Sequence, residues 1–439
     1  MAKRLAILLF LLFASCTSSK HPAPSSWNIL WIVIDDLNVQ HLSAYGYKRA
    51  TSPFLKRFSK KAVKFENCFS QAPWTLPSFA SMLTSRFPYE LVMNENYLKH
   101  LLKRRPLTEL SLGSLPSQVN TQWYSPLGED VLTFAELVKS RGYKTFALTN
   151  NQWLSPKLSG LNQGFDSYVF MEKPDKYYLP AEEVFARAQS WIEENQTKQW
   201  FVFLHLMDPH IPYKPHPEFD FGKRLIDRYD AEIAYLDSEL KEFFSWLEEK
   251  GFLEKTVIVI NADHGEAISK DGTRTLGHGG RVDWAVLRVP LFLYFPGAPG
   301  GKVIKKPVSN LDIVPTLLEL FKIPNEMGCK GKSLLGLIKG RREKPRKIFS
   351  MAVLAGVEQI SLIYEECQAV YVPAYELWSF SKLKGQGASC AEEKKKELKA
   401  ELKKFYKQVI KYLLHSQRKA KLKLTPEEIS RLKALGYLK

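Results

Sequence analysis

Asn28-Ile29-Leu30-Trp31-Ile32-Val33-Ile34-Asp35-Asp36 is an unbroken apolar run closed by two carboxylates. A strand with one wet face would alternate polar and apolar residues; continuous branched and aromatic residues suit a strand covered on both faces. Runs of the same kind recur at 145–149, 200–206, 256–260 and 289–295, and stretches with helical periodicity lie between them at 181–194 and 228–249. The pattern predicts an α/β fold, a large and mostly parallel sheet sandwiched by helices. From about residue 339 it changes to short strands at 348–354, 361–364 and 369–372, then a Lys/Glu-rich helical tail at 391–416. A smaller C-terminal subdomain is therefore expected. The division predicted is 1–15 signal peptide, 16–27 tether, 28–338 main domain and 339–439 C-terminal subdomain with its tail.

With 439 residues, 45% hydrophobic and 25% charged, the chain can bury a large core, which excludes disordered and fibrous classes. The formal charge of +17 has two readings: an anionic partner, or a generally cationic solvated surface. No internal repeat and no nucleic-acid motif accompanies it, so nucleic acid is not expected as a partner. Lys3 and Arg4 precede an apolar run at 5–13 that is too short to span a bilayer but long enough for an export signal. Ala14-Ser15-Cys16 resembles a bacterial lipoprotein cleavage box, which implies a membrane anchor at Cys16 and a cell-envelope location, facing the periplasm or exterior. Phe13 replaces the usual Leu of that box, so ordinary cleavage or an uncleaved anchor are the alternatives. Cys68, Cys329, Cys367 and Cys390 show no CxxC spacing, which argues against a zinc-thiolate site and leaves disulfide pairing open.

Ligands of open α/β sheets sit beyond the carboxyl ends of the strands. Asp35-Asp36 closes the first run, Asp208-Pro209-His210 follows the run at 200–206, and Asn261-Ala262-Asp263-His264-Gly265-Glu266 follows that at 256–260. A lone Asp after a strand is usually a helix cap. Three such ends bring carboxylates and imidazoles to one edge. Between them, Thr75 precedes Pro77 and a helix-prone apolar run, so it is expected at a helix N-terminus, where free N–H groups favour an anion. It reads either as an ordinary cap or as a hydroxyl that meets a divalent metal, loses its proton and attacks phosphorus or sulfur.

The order Asp35-Asp36, WTLPSFASMLT (74–84), GYKTFAL (142–148), HLMDPHIPY (205–213), NADHGE (261–266), GHGG (277–280) and VPLFLYFPG (289–297) resembles the sulfatase family of the alkaline phosphatase superfamily. LTPEEISRLKALGYL (424–438) is similar to the family's C-terminus. The resemblance implies that Asp35, Asp36, Asp263 and His264 ligate one divalent cation, with Thr75 approaching it. Oxygen ligands with one imidazole suit calcium, magnesium or manganese and admit zinc. It further implies that His210 contacts the ester and protonates the leaving group, and that His278 faces the substrate; His205 is read as structural.

The chain departs from the family pattern C/S-x-P-S-R, which here reads Thr75-Leu76-Pro77-Ser78-Phe79. Oxidising a threonine gives a ketone, not the formylglycine aldehyde of family enzymes, and Phe79 replaces the family arginine. Thr149-Asn150-Asn151-Gln152-Trp153 stands where the family carries a substrate-binding lysine. The expectation is an exported sulfatase-like hydrolase of sulfate esters, acting on an anionic ester of a glycan or lipid. One alternative is a phosphodiesterase, phosphonate monoester hydrolase or phosphotransferase with a Thr nucleophile. The other is an inactive relative that binds an anionic glycan or lipid. The insertion at 89–130, with Lys99, Lys103, Arg104 and Arg105, is either solvated or a polyanion contact.

Overall fold

The computed structural model describes residues 27–102, 123–170, 178–273, 276–352, 358–383 and 389–419. The expected signal peptide, Cys16, nearly all of the tether, Lys103, Arg104 and Arg105 of the basic insertion and the motif at 424–438 lie outside them. Among the described residues, no helix is long and apolar enough to cross a membrane.

Nine strands form the main sheet: β1 Asn28–Ile34, β2 Val63–Phe69, β3 Lys144–Thr149, β4 Ser167–Phe170, β5 Trp200–Leu206, β6 Thr256–Ala262, β7 Arg288–Tyr294, β8 Val303–Ile304 and β9 Val308–Ser309. Their order is β4-β3-β5-β1-β6-β7-β2-β8, with β9 also on β2. β1 lies parallel between β5 and β6, and every residue of these three strands is buried. That is why their sequences carry no alternation. β7 runs antiparallel to both β6 and β2, which returns β2 to the direction of β1. The carboxyl ends of β1, β2, β3, β5 and β6 therefore share one edge.

The helices Ala181–Glu194 and Leu225–Glu249 form where helical periodicity was read. Their buried stripes, including Val184, Phe185, Ala188 and Ile192 on the first and Leu236, Leu240, Phe243 and Leu247 on the second, join the same core. A second, antiparallel sheet follows: β10 Lys347–Ala352, β11 Gln359–Tyr364, β12 Cys367–Val372 and β13 Leu377–Lys382. The helix Glu392–Lys419 packs on β11 and β12, and a Cys367–Cys390 disulfide ties its approach to β12. Cys68 and Cys329 are free thiols.

Candidate active site

Four parallel strands deliver the polar residues. Asp35 and Asp36 leave β1, Asn151 follows β3, His205 lies near the end of β5 with His210 just beyond it, and Asp263 and His264 leave β6. Asp36 adopts a left-handed backbone with φ of 58°, uncommon for a residue other than glycine. The Tyr229 hydroxyl secures this turn by donating to Asp36 O (2.6 Å). Thr75 begins the helix Thr75–Thr84, as the sequence predicts, and all ten of that helix's residues are buried. Ser78 Oγ donates to Asp263 O (2.6 Å), pinning the helix to the end of β6.

Asp35, Asp36, Asp263 and His264 are fully buried. His264 Nε2 lies 3.4 Å from Asp35 Oδ1 and 3.2 Å from Asp263 Oδ2, while its Nδ1 lies 2.9 Å from Asp36 Oδ1. The four fall into overlapping groups rather than one. Asp35, Asp263 and His264 bring ligand atoms together; so do Asp36, His264 and His278, and also Asp35, Asp36 and His210. His210 Nε2 is 3.6 Å from Asp36 Oδ2, and His278 Nδ1 is 3.2 Å from Asp36 Oδ1 and 3.3 Å from Glu266 Oε2. Both histidines are partly exposed, whereas the carboxylates beneath them are sealed.

Thr75 Oγ1 is 3.4 Å from Asp35 Oδ2, and Asn151 Nδ2 donates to both, at 3.1 Å to the hydroxyl and 3.2 Å to the carboxylate. His205, read as structural, is fully buried but also reaches the site, with Nε2 at 3.1 Å from Asp35 Oδ2. Phe79, standing where the family has arginine, is buried among rings. Its ring meets His205 edge-on at 4.8 Å and Phe203 at 5.8 Å. Asn151 was visible in sequence only as part of a run lacking lysine; following the end of β3, as one follows β1 and β6, would have singled it out. Glu266 stood within the quoted motif, but its pairing with His278 spans a loop that spacing does not resolve.

The charges are mutually dependent. Burial pushes Asp35 up, yet the His205 hydrogen bond and the charges of His210 and His264 hold it well below the usual carboxylate range. Burial, together with the neighbouring Asp35 charge, raises Asp263. Burial pulls His264 down, but the charges of Asp263 and Asp36 outweigh it and raise the ring above the usual histidine range. His278 is likewise raised to about 9, burial being overcome by Asp36 and Glu266.

The residues fit a cation. Asp35 Oδ1, both oxygens of Asp36, Asp263 Oδ2 and both nitrogens of His264 are buried without a hydrogen-bond partner. Buried polar atoms left in this way are costly, and a carboxylate-rich set with one imidazole is the donor chemistry of a divalent ion.

A mostly parallel sheet with a polar, carboxylate-lined nest and a helix-borne hydroxyl at its carboxyl edge defines a hydrolase architecture of the alkaline phosphatase kind. Residues 27–323 match the Sulfatase family profile, and the chain belongs to the sulfatase family. An ulvan-active sulfatase of Formosa agariphila is 24% identical over 411 residues, covering 80% of this chain and 74% of that one. A protein solved in complex with its substrate D-glucosamine-2-N,6-O-disulfate superimposes with a TM-score of 0.70 at 16% identity, over 88% of this chain and 98% of its own. The phosphonate monoester hydrolase of Agrobacterium radiobacter gives 0.61 at 16% identity, over 81% and 89%.

Proposed function

We propose that this chain is an exported, metal-dependent hydrolase of sulfate esters carried by a glycan or lipid, with Thr75 as the nucleophile. One observation carries the reading: the Thr75 hydroxyl sits 3.4 Å from Asp35 at the start of a buried helix, beside a nest of unpartnered carboxylate and imidazole atoms. Asp35, Asp36, Asp263 and His264 would hold one divalent ion. Such an ion supplies Lewis-acid polarisation and lowers the pKa of a nearby hydroxyl.

The chain's own residues account for the remaining steps. Asn151 fixes the Thr75 oxygen and the Asp35 carboxylate relative to one another. Thr75 loses its proton to solvent, and its oxygen bonds to sulfur as the bond from sulfur to the ester oxygen breaks. The ester oxygen leaves with a proton from His210, which regains one from the water of the next step. Water then attacks the same sulfur and restores the hydroxyl. His278, held positive by Asp36 and Glu266, faces the anionic group. Export rests on the basic start and short apolar run, and the membrane anchor on Cys16. Mass spectrometry of the mature N-terminus tests both; an unmodified Cys16 rejects the anchor alone.

A second reading, phosphoryl transfer, draws on one feature of the site. Threonine offers a single hydroxyl, so a sulfated intermediate cannot be expelled by a second one, whereas phosphothreonine hydrolysed at phosphorus is ordinary covalent chemistry. The fold shared with a phosphonate monoester hydrolase is in keeping with it. Aryl sulfate and aryl phosphate mono- and diesters, assayed side by side with added divalent ions, separate the two. Faster turnover of phosphate esters would replace the sulfate assignment, and absence of turnover together with absence of bound metal would leave an anion-binding protein.

A further inference from the structure

The two oxygens of Asp35 meet different surroundings. Oδ1 is buried with no hydrogen-bond partner and lies 3.4 Å from His264 Nε2. Oδ2 is ringed by donors: His205 Nε2 at 3.1 Å, Asn151 Nδ2 at 3.2 Å and Thr75 Oγ1 at 3.4 Å. The torsion that turns a carboxylate about its own axis has a broad, shallow profile, so the side chain alone does not decide which oxygen faces which way. Its partners do. Asn151 divides one amide nitrogen between Asp35 and the Thr75 hydroxyl, and the Thr75 contact is the longest of the three. Among the described hydrogen bonds, His205 Nε2 meets Asp35 and no other acceptor.

The imidazole is itself held in one orientation. Its Nδ1 lies 3.5 Å from the backbone nitrogen of Asn150. A backbone N–H can only donate, so Nδ1 is the bare nitrogen and Nε2 carries the hydrogen, aimed at Asp35. The Asn150 side chain clasps the same stretch of β5, donating from Nδ2 to His205 O (3.1 Å) and accepting from Leu179 N–H at Oδ1 (3.3 Å). By the two-residue period of a strand, Phe201, Phe203 and His205 share one face of β5. That row packs against the rings of Phe134, Phe165 and Phe79. His205 is its one polar member. Burying an imidazole among rings is costly unless its nitrogens are bonded, and both are.

We propose that His205 is a positioning residue for the ion site: by binding Asp35 Oδ2 through Nε2–H, it keeps Oδ1 beside His264 Nε2, the nitrogen that Asp263 Oδ2 also faces. The proposal rests on the metal-dependent reading above. Fully buried, His205 cannot meet a substrate, so its effect passes through Asp35.

The test titrates the full chain with manganese(II), following the free ion by electron paramagnetic resonance. His205→Gln brings an amide nitrogen to the reach of Nε2 and keeps the donor. His205→Asn is also polar, but its amide ends at the reach of Nδ1 and falls short of Asp35. The Asn variant should bind manganese about ten- to a hundredfold more weakly than wild type, the scale of losing a group that orients a metal ligand; the Gln variant should stay near wild type. Wild-type affinity in the Asn variant would overturn the proposal. Equal losses of affinity in both variants, matched by equal losses in urea midpoint, would also overturn it, as the mark of a packing role. Should the Asn variant not fold, the wild-type protein decides. A nitrogen-edited NMR spectrum, assigned by the signal missing in His205→Gln, should show His205 protonated at Nε2 and bare at Nδ1; the opposite tautomer would overturn the proposal. Wild-type protein that binds neither manganese nor, by calorimetry, calcium or magnesium would overturn the hydrolase reading and this proposal together, whereas ion binding left intact in the Asn variant removes the proposal alone.

Discussion

The side of the site proposed to hold a cation and the side proposed to carry the nucleophile are built by opposite means. On the first, Asp35, Asp36, Asp263 and His264 leave strand ends, sit in full burial, and keep six side-chain atoms without hydrogen bonds. On the second, Thr75 stands on a helix packed largely among apolar side chains and tied to β6 through Ser78. Trp74 packs edge-on against Trp153 (5.4 Å) and Tyr124 (4.8 Å), and Phe79 packs against Phe203. Polar cost is concentrated where an ion would offset it, and the hydroxyl beside it is positioned by rigid packing. The two halves should therefore respond differently to substitution.

Removing the proposed nucleophile should have the largest effect. Thr75→Ala should cost at least about a thousandfold in kcat, as loss of a bond-forming group does, yet leave bound metal unchanged by elemental analysis. Thr75→Ser should retain measurable turnover. Metal loss accompanying Thr75→Ala would erase the distinction between the two halves.

Asn151→Ala comes next. Its amide is the one side-chain donor on the Thr75 oxygen among the described contacts, and its removal should lower kcat by roughly a hundredfold with little change in KM. A change confined to KM would instead assign Asn151 to substrate binding.

Phe79→Arg would restore the family's side chain, but at a position only 1% exposed and walled by rings. Chemical denaturation should show a loss of about 3 kcal/mol or more, because a buried guanidinium there lacks a counter-ion. A gain in sulfate-ester turnover without loss of stability would show that the nucleophile side is less fixed than its packing implies.

The smallest effect lies outside the site and concerns pH. Burial pushes the Glu358 carboxyl from 4.5 up to about 8, although the Tyr97 hydroxyl, donating at 2.5 Å, pulls the other way. The folded state then holds a proton that the unfolded state releases. Stability from this group is full below about pH 4.5 and is lost as pH rises through about 8. Glu358→Gln still accepts from Tyr97 and cannot ionise, so its thermal midpoint should gain on wild type between pH 6 and 9. Parallel midpoints across that range would contradict the assignment.

The sequence was most legible where burial is uniform. The run at 200–206 coincides with β5 and the periodic stretch at 181–194 with its helix, because strands and helices inside a covered sheet carry undiluted patterns. β2 was not read, since Lys64 and Glu66 interrupt it, and β13 was not read because as an edge strand it has no buried residue to mark it. The antiparallel sense of β7 was also hidden, as strand direction comes from connections and not from composition. In the site, the acidic strand ends were legible as chemistry that recurs at one edge. His205 was not, because a buried histidine inside a strand looks the same whether or not its ring meets a carboxylate.

The most direct test of the account is rapid-quench peptide mass spectrometry of metal-loaded wild-type protein during turnover of whichever aryl ester it hydrolyses faster. The account predicts a transient sulfuryl or phosphoryl adduct on Thr75, formed and lost at rates compatible with kcat and missing in the metal-depleted protein. Steady turnover with Thr75 unmodified at every time point, and with undiminished rate in Thr75→Ala, would contradict it and make water the attacking group.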